Sequence, residues 1–496
     1  MDLSQELARA EEDWRSDFPP DSVKLPEPGF VRDPVLGHIR LDPVDFLVLD
    51  SPPFQRLRGI AQLSFVDRIY PGANHTRFEH SLGVATIVRK LLDSLSRRKR
   101  VKITGSDVLA TRLAGYFHDI GHLPFSHLLE GLFRHSLKEN YPKYGMKEGE
   151  NKPHELLGYM IITSKYFRDL IQRAAKLERV SVDPNDVARL AMGTENVPSE
   201  KEFLKEMIHG PFDCDRMDYL VRDAYYCGVT HGRVDVDRII ETLIIVPRKK
   251  EGLHLGLDLS GLPTIEMMYL SRNAMYNAVY FHHTARIIEG MILRAVRYMQ
   301  SSKRLKLQTL IRHTDSSLLE RMKVEGPKLS RIIVERLENR KFLKPFLETR
   351  LFQIPGLTKL KPGADPRIVE KLNDKFGASL AKITKYFGNI DNTVNFEESL
   401  AEAIYPAKLR AGALLLDWQK LSLPKDPDPH DYFVVRFPGR ETRSLLAISP
   451  IIKCIAYEGD FFSRSLLLAG LERKTYKDKA TKLFKETFQS DFDFRL

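Results

Sequence analysis

Residues 115 to 131, GYFHDIGHLPFSHLLEG, place His118, Asp119, His122, His127 and Glu130 in an otherwise apolar segment. Imidazoles and carboxylates at this density can hold a cation or move protons. The preceding DVLATRLAGYFHD carries apolar residues nearly all round (Val108, Leu109, Leu113, Ala114, Tyr116, Phe117), which predicts a buried helix ending at His118 and Asp119. A lone buried histidine is more often a hydrogen-bonded core residue. An adjacent His-Asp pair at a buried helix end, with His122 one turn on, favours a metal. Burying an ionised carboxylate is costly unless it is paired or cation-bound, and neutral imidazoles are poor cation partners.

Two other segments can complete the ligand set. RFEHSLG puts His80 at the start of an amphipathic helix, on one stripe with Val84 and Val88. FDCDRMDYLVRDAYYCG puts Asp215, Tyr219 and Asp223 at four-residue intervals on one helical face. His80, His118, Asp119 and Asp215 would form a two-His, two-Asp site with positions left for water and substrate. That mixture suits Mn, Fe or Zn and does not choose among them. Glu130, three residues after His127, can orient that imidazole and raise its basicity, or be a solvated helix charge. YLSRNAMYNAVYFHH spaces Arg272, Tyr276 and Tyr280 in the same way, although a tyrosine stripe by itself is more often core packing.

Helices must carry these groups. The stripe Val84, Val88, Leu91 and Leu95 predicts one after His80, and Pro153 suits the first turn of PHELLGYMIITSKYFRDLI. The expected organisation is a polar arm over 1–28, a helical domain over 29–300 and a smaller α+β region over 301–496 for oligomerisation or regulation. The fold class is therefore mostly α. Hinges are expected at KLKPGADP (359–366) and LPKDPDPHD (423–431), with DYFVVRF and SLLAIS as strands of a hairpin around PGRET.

Across 496 residues no apolar run reaches the roughly 18 that a membrane span needs, and MDLSQELARAEEDWRSDF is too acidic for a signal peptide. Cys214, Cys227 and Cys454 lack the spacing of a zinc or disulfide framework, so a reducing compartment is expected: cytoplasm, or nucleus in a eukaryote. The net charge of +11, with basic clusters SRRKRVK and VPRKKEG, attracts polyanions such as nucleoside triphosphates and, secondarily, nucleic acid.

The order H, HD, D, in the blocks FQRLRGIAQL, PGANHTRFEHSLGVA, HDIGHLPFSH and DRMDYLVRD, resembles the HD superfamily of metal-dependent phosphohydrolases. Within it, the blocks are similar to the deoxynucleoside triphosphate triphosphohydrolases, the branch that includes the SAM-and-HD-domain enzymes. The resemblance covers roughly residues 30 to 300. It implies that His80, His118, Asp119 and Asp215 hold the metal, that Arg77, His122 and His154 line the phosphate path, and that His127 is the general acid. Glu130 stands where the family commonly has aspartate. Arg272 is implied at the terminal phosphate, Tyr280 beside the 2′ position of the sugar and Tyr276 on the same stripe. Gln62, Leu63 and Asp223 would hold the 3′-hydroxyl and the sugar face. Arg216, where the family often has lysine, would meet the phosphates, and Tyr219 would complete that pocket. Asp50, Gln55 and Arg58 match part of an activating guanine-nucleotide site. The lysine for the activator phosphate is replaced by Gly29, and LDLSGLPTIEMMY lacks the basic residues for a second activator.

The expected activity is hydrolysis of dNTPs to deoxynucleoside and inorganic triphosphate by a homo-oligomer, dimer or tetramer, with Mg accompanying the substrate. Alternatives are an HD hydrolase of nucleoside monophosphates, against which Arg216 and Arg272 argue, or of signalling nucleotides, and a nucleic-acid-binding or nucleotide-sensing protein, motivated by the charge.

Overall fold

A computed structural model describes residues 3–98, 101–134, 137–147, 151–248, 252–350, 366–407, 410, 412–418, 434–437, 441–458, 464–471 and 474–492. The chain divides into two compact units: Met1–Arg272 with Lys306–Leu318 and Tyr432–Ile448, and Asn273–Leu305 with Leu319–Asp431 and Ser449–Leu496. The fold is mostly α, with small sheets.

In the first unit the helix Arg77–Arg97 begins where the Glu79 carboxylate accepts the Thr76 N–H at 2.9 Å, closing the N-terminal turn. Its stripe Val84, Val88, Leu91 and Leu95 is buried. Against it lies the helix Gly105–Phe117, capped by Thr104, with Leu109, Leu113, Ala114, Tyr116 and Phe117 buried and Val108 half-buried. Both helices carry donors at their ends, so their packing decides how those donors meet. The helix Cys214–Cys227 also packs on Arg77–Arg97, and Gly83 makes this approach feasible: a Cβ there would collide with the Asp218 carboxylate.

The stretch read as a polar arm contains a helix, Leu3–Asp17. It buries Leu3, Leu7 and Ala10, stacks Trp14 edge-on against Tyr166 at 5.7 Å, and pairs Arg15 with Asp169 at 2.6 Å on the helix Lys165–Leu177. Its apolar residues recur at helical spacing but are diluted by the five charges between Leu3 and Trp14, which hid the stripe. PHELLGYMIITSKYFRDLI is two helices, Pro153–Ile162 and Lys165–Leu177, because Ser164 caps the second.

The hairpin Gly29–Asp33 with Gly37–Leu41 delivers Asp33 to the buried side. The strands Leu243–Arg248 and Gly252–Asp258 pair antiparallel, and Val434–Arg436 adds in parallel beside the latter. The C-terminal hairpin differs from the sequence expectation. Val434–Arg436 pairs with Thr442–Ser444, whereas most of SLLAIS is the helix Leu445–Ile448. Leu445 and Leu446 are both buried in this short helix. Both expected hinges lie outside the described residues except for Pro366, the start of the helix Pro366–Phe387.

The second unit combines the helices His283–Ser301, Lys328–Glu338, Ile390–Ile404 and Lys474–Phe492 with an antiparallel sheet in the order Lys344–Arg350, Arg464–Gly470, Leu414–Trp418. Phe346, Phe387, Phe484 and Phe488 share its core. Arg294 and Glu397 form a buried two-bond pair at 2.6 and 2.7 Å.

Candidate active site

Three elements converge on one point. The Nε2 of His80, in the first turn of Arg77–Arg97, lies 3.2 Å from the Nε2 of His118 and 3.0 Å from the Oδ1 of Asp215. Asp119 Oδ1 is 3.5 Å from His118 Nε2, and Asp119 Oδ2 is 3.8 Å from His80 Nε2. His118 caps the C-terminal end of Gly105–Phe117, and Asp215 sits in the first turn of Cys214–Cys227. The far ring nitrogens are also committed: His118 Nδ1 donates to the Gly115 carbonyl at 2.9 Å, and His80 Nδ1 donates to Asp218 Oδ2 at 2.9 Å. This fixes the tautomer that presents Nε2 inward, as metal-binding imidazoles require.

The charges also fit a cation. Burial works to lower the pKa of His80, but hydrogen bonds to Asp215 and Asp218 and the charge of Asp119 push it up to about 10. Asp119, despite burial, is held well below the usual carboxylate range by Arg77 and the neighbouring imidazoles. The pocket therefore demands positive charge, and a divalent ion held by His80, His118, Asp119 and Asp215 would satisfy it.

A second cluster adjoins the first through His122, whose Nε2 is 3.2 Å from Asp119 Oδ1. His122 stacks on His154 with ring centroids 4.0 Å apart and meets His127 edge-on at 4.7 Å. One oxygen, Glu130 Oε1, accepts from the Nδ1 atoms of both His127 and His154 at 2.6 Å. Burial works to raise the pKa of Glu130, yet these two bonds hold it far below the ordinary range. Burial, together with the charges of Arg77 and His154, holds His122 well below its ordinary value, so it is neutral. His127 has a side chain 57% exposed, whereas that of His154 is 9% exposed, so His127 is the more accessible to a ligand. Arg77 spans the clusters, with Nη1 2.5 Å from Asp119 and Nε 2.9 Å from Ser126 Oγ.

The remaining expected residues are more dispersed. Gln62 and Leu63 are half-buried on the loop before Arg77–Arg97. Tyr219 is half-buried, while Asp223 is fully buried with Oδ1 2.8 Å from His75 Nε2. Arg216 is 2.8 Å from its own helix cap, Asp213. Arg272, Tyr276 and Tyr280 do not share one regular α-helix. Leu262–Met275 gives way to a π-helical turn at Tyr276–Tyr280, where the two tyrosine rings meet edge-on at 4.9 Å. Gln55 donates to the Leu49 carbonyl at 2.6 Å and accepts from Arg58 Nε at 3.0 Å. Arg58 lies 3.4 Å over the Phe78 ring, and Asp50 is exposed.

Sequence reasoning missed the support behind His80. Arg222 binds Asp218 at 2.7 and 2.9 Å and Asp33 at 2.7 Å, all buried. Asp218 and Arg222 stand in the DRMDYLVRD block at one-turn spacing, a readable signal for the pair, whereas nothing in the sequence points to Asp33.

Comparison with known proteins fits this arrangement: the HD domain matches residues 77–223, which hold all four converging donors, and the HD associated region matches 234–384. The chain belongs to the HD-domain family. This HD-domain protein is 30% identical over 329 residues to the uncharacterized protein MJ1154 of Methanocaldococcus jannaschii, covering 66% of this chain and 62% of that one. It is 30% identical over 358 residues to the deoxynucleoside triphosphate triphosphohydrolase SAMHD1 of Homo sapiens, covering 67% and 56%. The match thus spans about 60% of the length of these relatives. A hypothetical protein from Aquifex aeolicus shares the fold, with a TM-score of 0.61, 24% identity, and coverage of 92% of this chain and 100% of that one. Its His and Asp groups are suited to hold a divalent metal. No helix among the described residues is long and apolar enough to cross a membrane.

Proposed function

We propose that this protein hydrolyses dNTPs to deoxynucleoside and inorganic triphosphate. The observation that carries this reading is the junction of the two clusters, Asp119 to His122 at 3.2 Å, which sets a proton-handling group beside a cation site. A divalent cation held by His80, His118, Asp119 and Asp215, when bound, supplies a polarised phosphoryl group and an acidified water. His127 donates its proton to the departing 5′ oxygen. The Glu130 carboxylate favours the protonated imidazole against the burial that lowers the pKa of His127 and, through its shared oxygen, fixes His127 against His154. Arg77, His122 and His154 line the phosphate path, and Arg216 and Arg272 meet the outer phosphates.

On the sugar, Gln62, Leu63 and Asp223 hold the 3′ side with Tyr219, while Tyr276 and Tyr280 exclude a 2′-hydroxyl. SAMHD1 relatives of four vertebrate species carry the triphosphohydrolase name, which supports the dNTP assignment. Activation by a guanine nucleotide at Asp50, Gln55 and Arg58, and a homo-oligomeric state, belong to the same reading. Incubation with each dNTP, NTP and nucleoside monophosphate in the presence of Mn, with chromatographic separation of products, tests it. Consumption of dNTPs is expected. Turnover of monophosphates alone would replace this reading with the other hydrolase.

A further inference from the structure

The turn that leads into His127 is unusually constrained. Phe125 and Ser126, neither of them glycine, have φ of 61° and 58° in succession. Such residues stay in the left-handed region only when their surroundings hold them there. Ser126 Oγ donates to the Ala61 carbonyl at 2.8 Å and accepts from Arg77 Nε at 2.9 Å. Ser64 Oγ donates to the Phe125 carbonyl at 2.8 Å, and Arg56 Nη2 to the His122 carbonyl at 2.9 Å. The Phe125 N–H has a different kind of partner, Oδ1 of Asp315 at 2.7 Å. The other oxygen of the same carboxylate accepts the Ala61 N–H at 2.9 Å. One side chain thereby clamps the catalytic turn to the Gln62 loop.

Asp315 is distant in sequence from everything it holds. It lies in the segment Lys306–Leu318, inside the part of the chain matching the HD associated region and outside the part matching the HD domain. The segment is itself anchored: Arg56 Nε donates to the His313 carbonyl at 3.1 Å, and Thr314 sits so close to Gly59 that a Cβ there would overlap its side chain.

We infer that Asp315 is a positioning residue for the proposed hydrolysis, through which the HD associated region fixes the His127 turn against the Gln62 loop. It touches neither the metal ligands nor His127, and it acts by satisfying two backbone donors with a single rigid carboxylate. Asparagine at this position keeps the shape but can accept only one of the two bonds. The inference rests on the proposed function for its kinetic readout and is independent of it for its structural one.

The test uses the full chain as wild type, Asp315→Asn, Ser126→Ala and the double variant. Kinetics on dGTP are measured together with hydrogen–deuterium exchange of peptides spanning 57–66 and 120–130. Each single substitution is expected to lower kcat about tenfold with KM changed less than about threefold, and the double variant to lose far less than the roughly hundredfold product, because both act through one turn. Exchange in both peptides should accelerate in Asp315→Asn at least about tenfold. Unchanged kcat, multiplicative losses, or unchanged exchange in the 120–130 peptide would overturn the inference. A wild type inert on dGTP, with accelerated exchange in Asp315→Asn, would count against the proposed function and uphold the clamp.

Discussion

The Nδ1 of His80 and the Oδ2 of Asp218 are 2.9 Å apart, on the side of the imidazole opposite the point where His118, Asp119 and Asp215 converge. The first carboxylate behind the ligand set is thus held by Arg222, which Asp33 holds in turn. This chain orients the ring and raises its basicity.

Asp218→Asn is therefore expected to weaken divalent-metal binding by about 10- to 100-fold while leaving all four converging donors in place. Competition against a chromophoric chelator measures it. An affinity equal to that of wild type would show that Asp218 serves only the ion pair with Arg222.

Much of this arrangement was legible in the sequence. Val84, Val88, Leu91 and Leu95 announced the helix that carries His80, and the nearly uniform apolar surround of Leu113, Tyr116 and Phe117 placed His118 and Asp119 at a buried end. The spacing of His127 and Glu130 allowed a pair or a solvated helix charge, and the 2.6 Å contact between them decides for the pair. What escaped were the contacts that link distant segments. Asp33 to Arg222 and Asp315 to Phe125 depend on how helices and loops pack, which no local periodicity encodes. The Tyr276–Tyr280 stripe was misread as regular helix because a π-turn leaves the local sequence pattern helical.

Glu130→Gln removes the charge shared by His127 and His154 and keeps the side-chain length. It is expected to lower kcat by about 10- to 100-fold with metal content unchanged, as for a weakened general acid. Steady-state kinetics with elemental analysis of the same preparation decide it. A loss of metal in parallel would assign Glu130 to the cation site instead.

The same substitution has a pH signature in stability. The Glu130 pKa is depressed in the folded state relative to its ordinary value of 4.5, because hydrogen bonds from His127 and His154 outweigh burial. Its stabilising contribution is therefore complete above that ordinary value and is lost as pH falls below it. Urea midpoints of wild type and Glu130→Gln should differ at pH 7 and draw together between about pH 4.5 and pH 3. A difference that stays constant over this range would contradict the assignment.

Tyr280→Ala tests sugar discrimination. If the ring occupies the space of a 2′-hydroxyl, the ratio of kcat/KM for dGTP over GTP should fall by at least about tenfold in the variant, with metal and salt held fixed. A large preference left untouched would reduce Tyr280 to packing against Tyr276.

In the proposed reaction water attacks the α-phosphorus while His127 protonates the departing 5′ oxygen. Hydrolysis of dGTP followed by phosphorus NMR tests it most directly, in wild type and in His127→Ala. Inorganic triphosphate is expected as the first phosphorus product of wild type, and in His127→Ala the same product formed about a hundredfold more slowly with metal still bound. Orthophosphate or pyrophosphate as the first product, or full-speed release of triphosphate by His127→Ala, would contradict it.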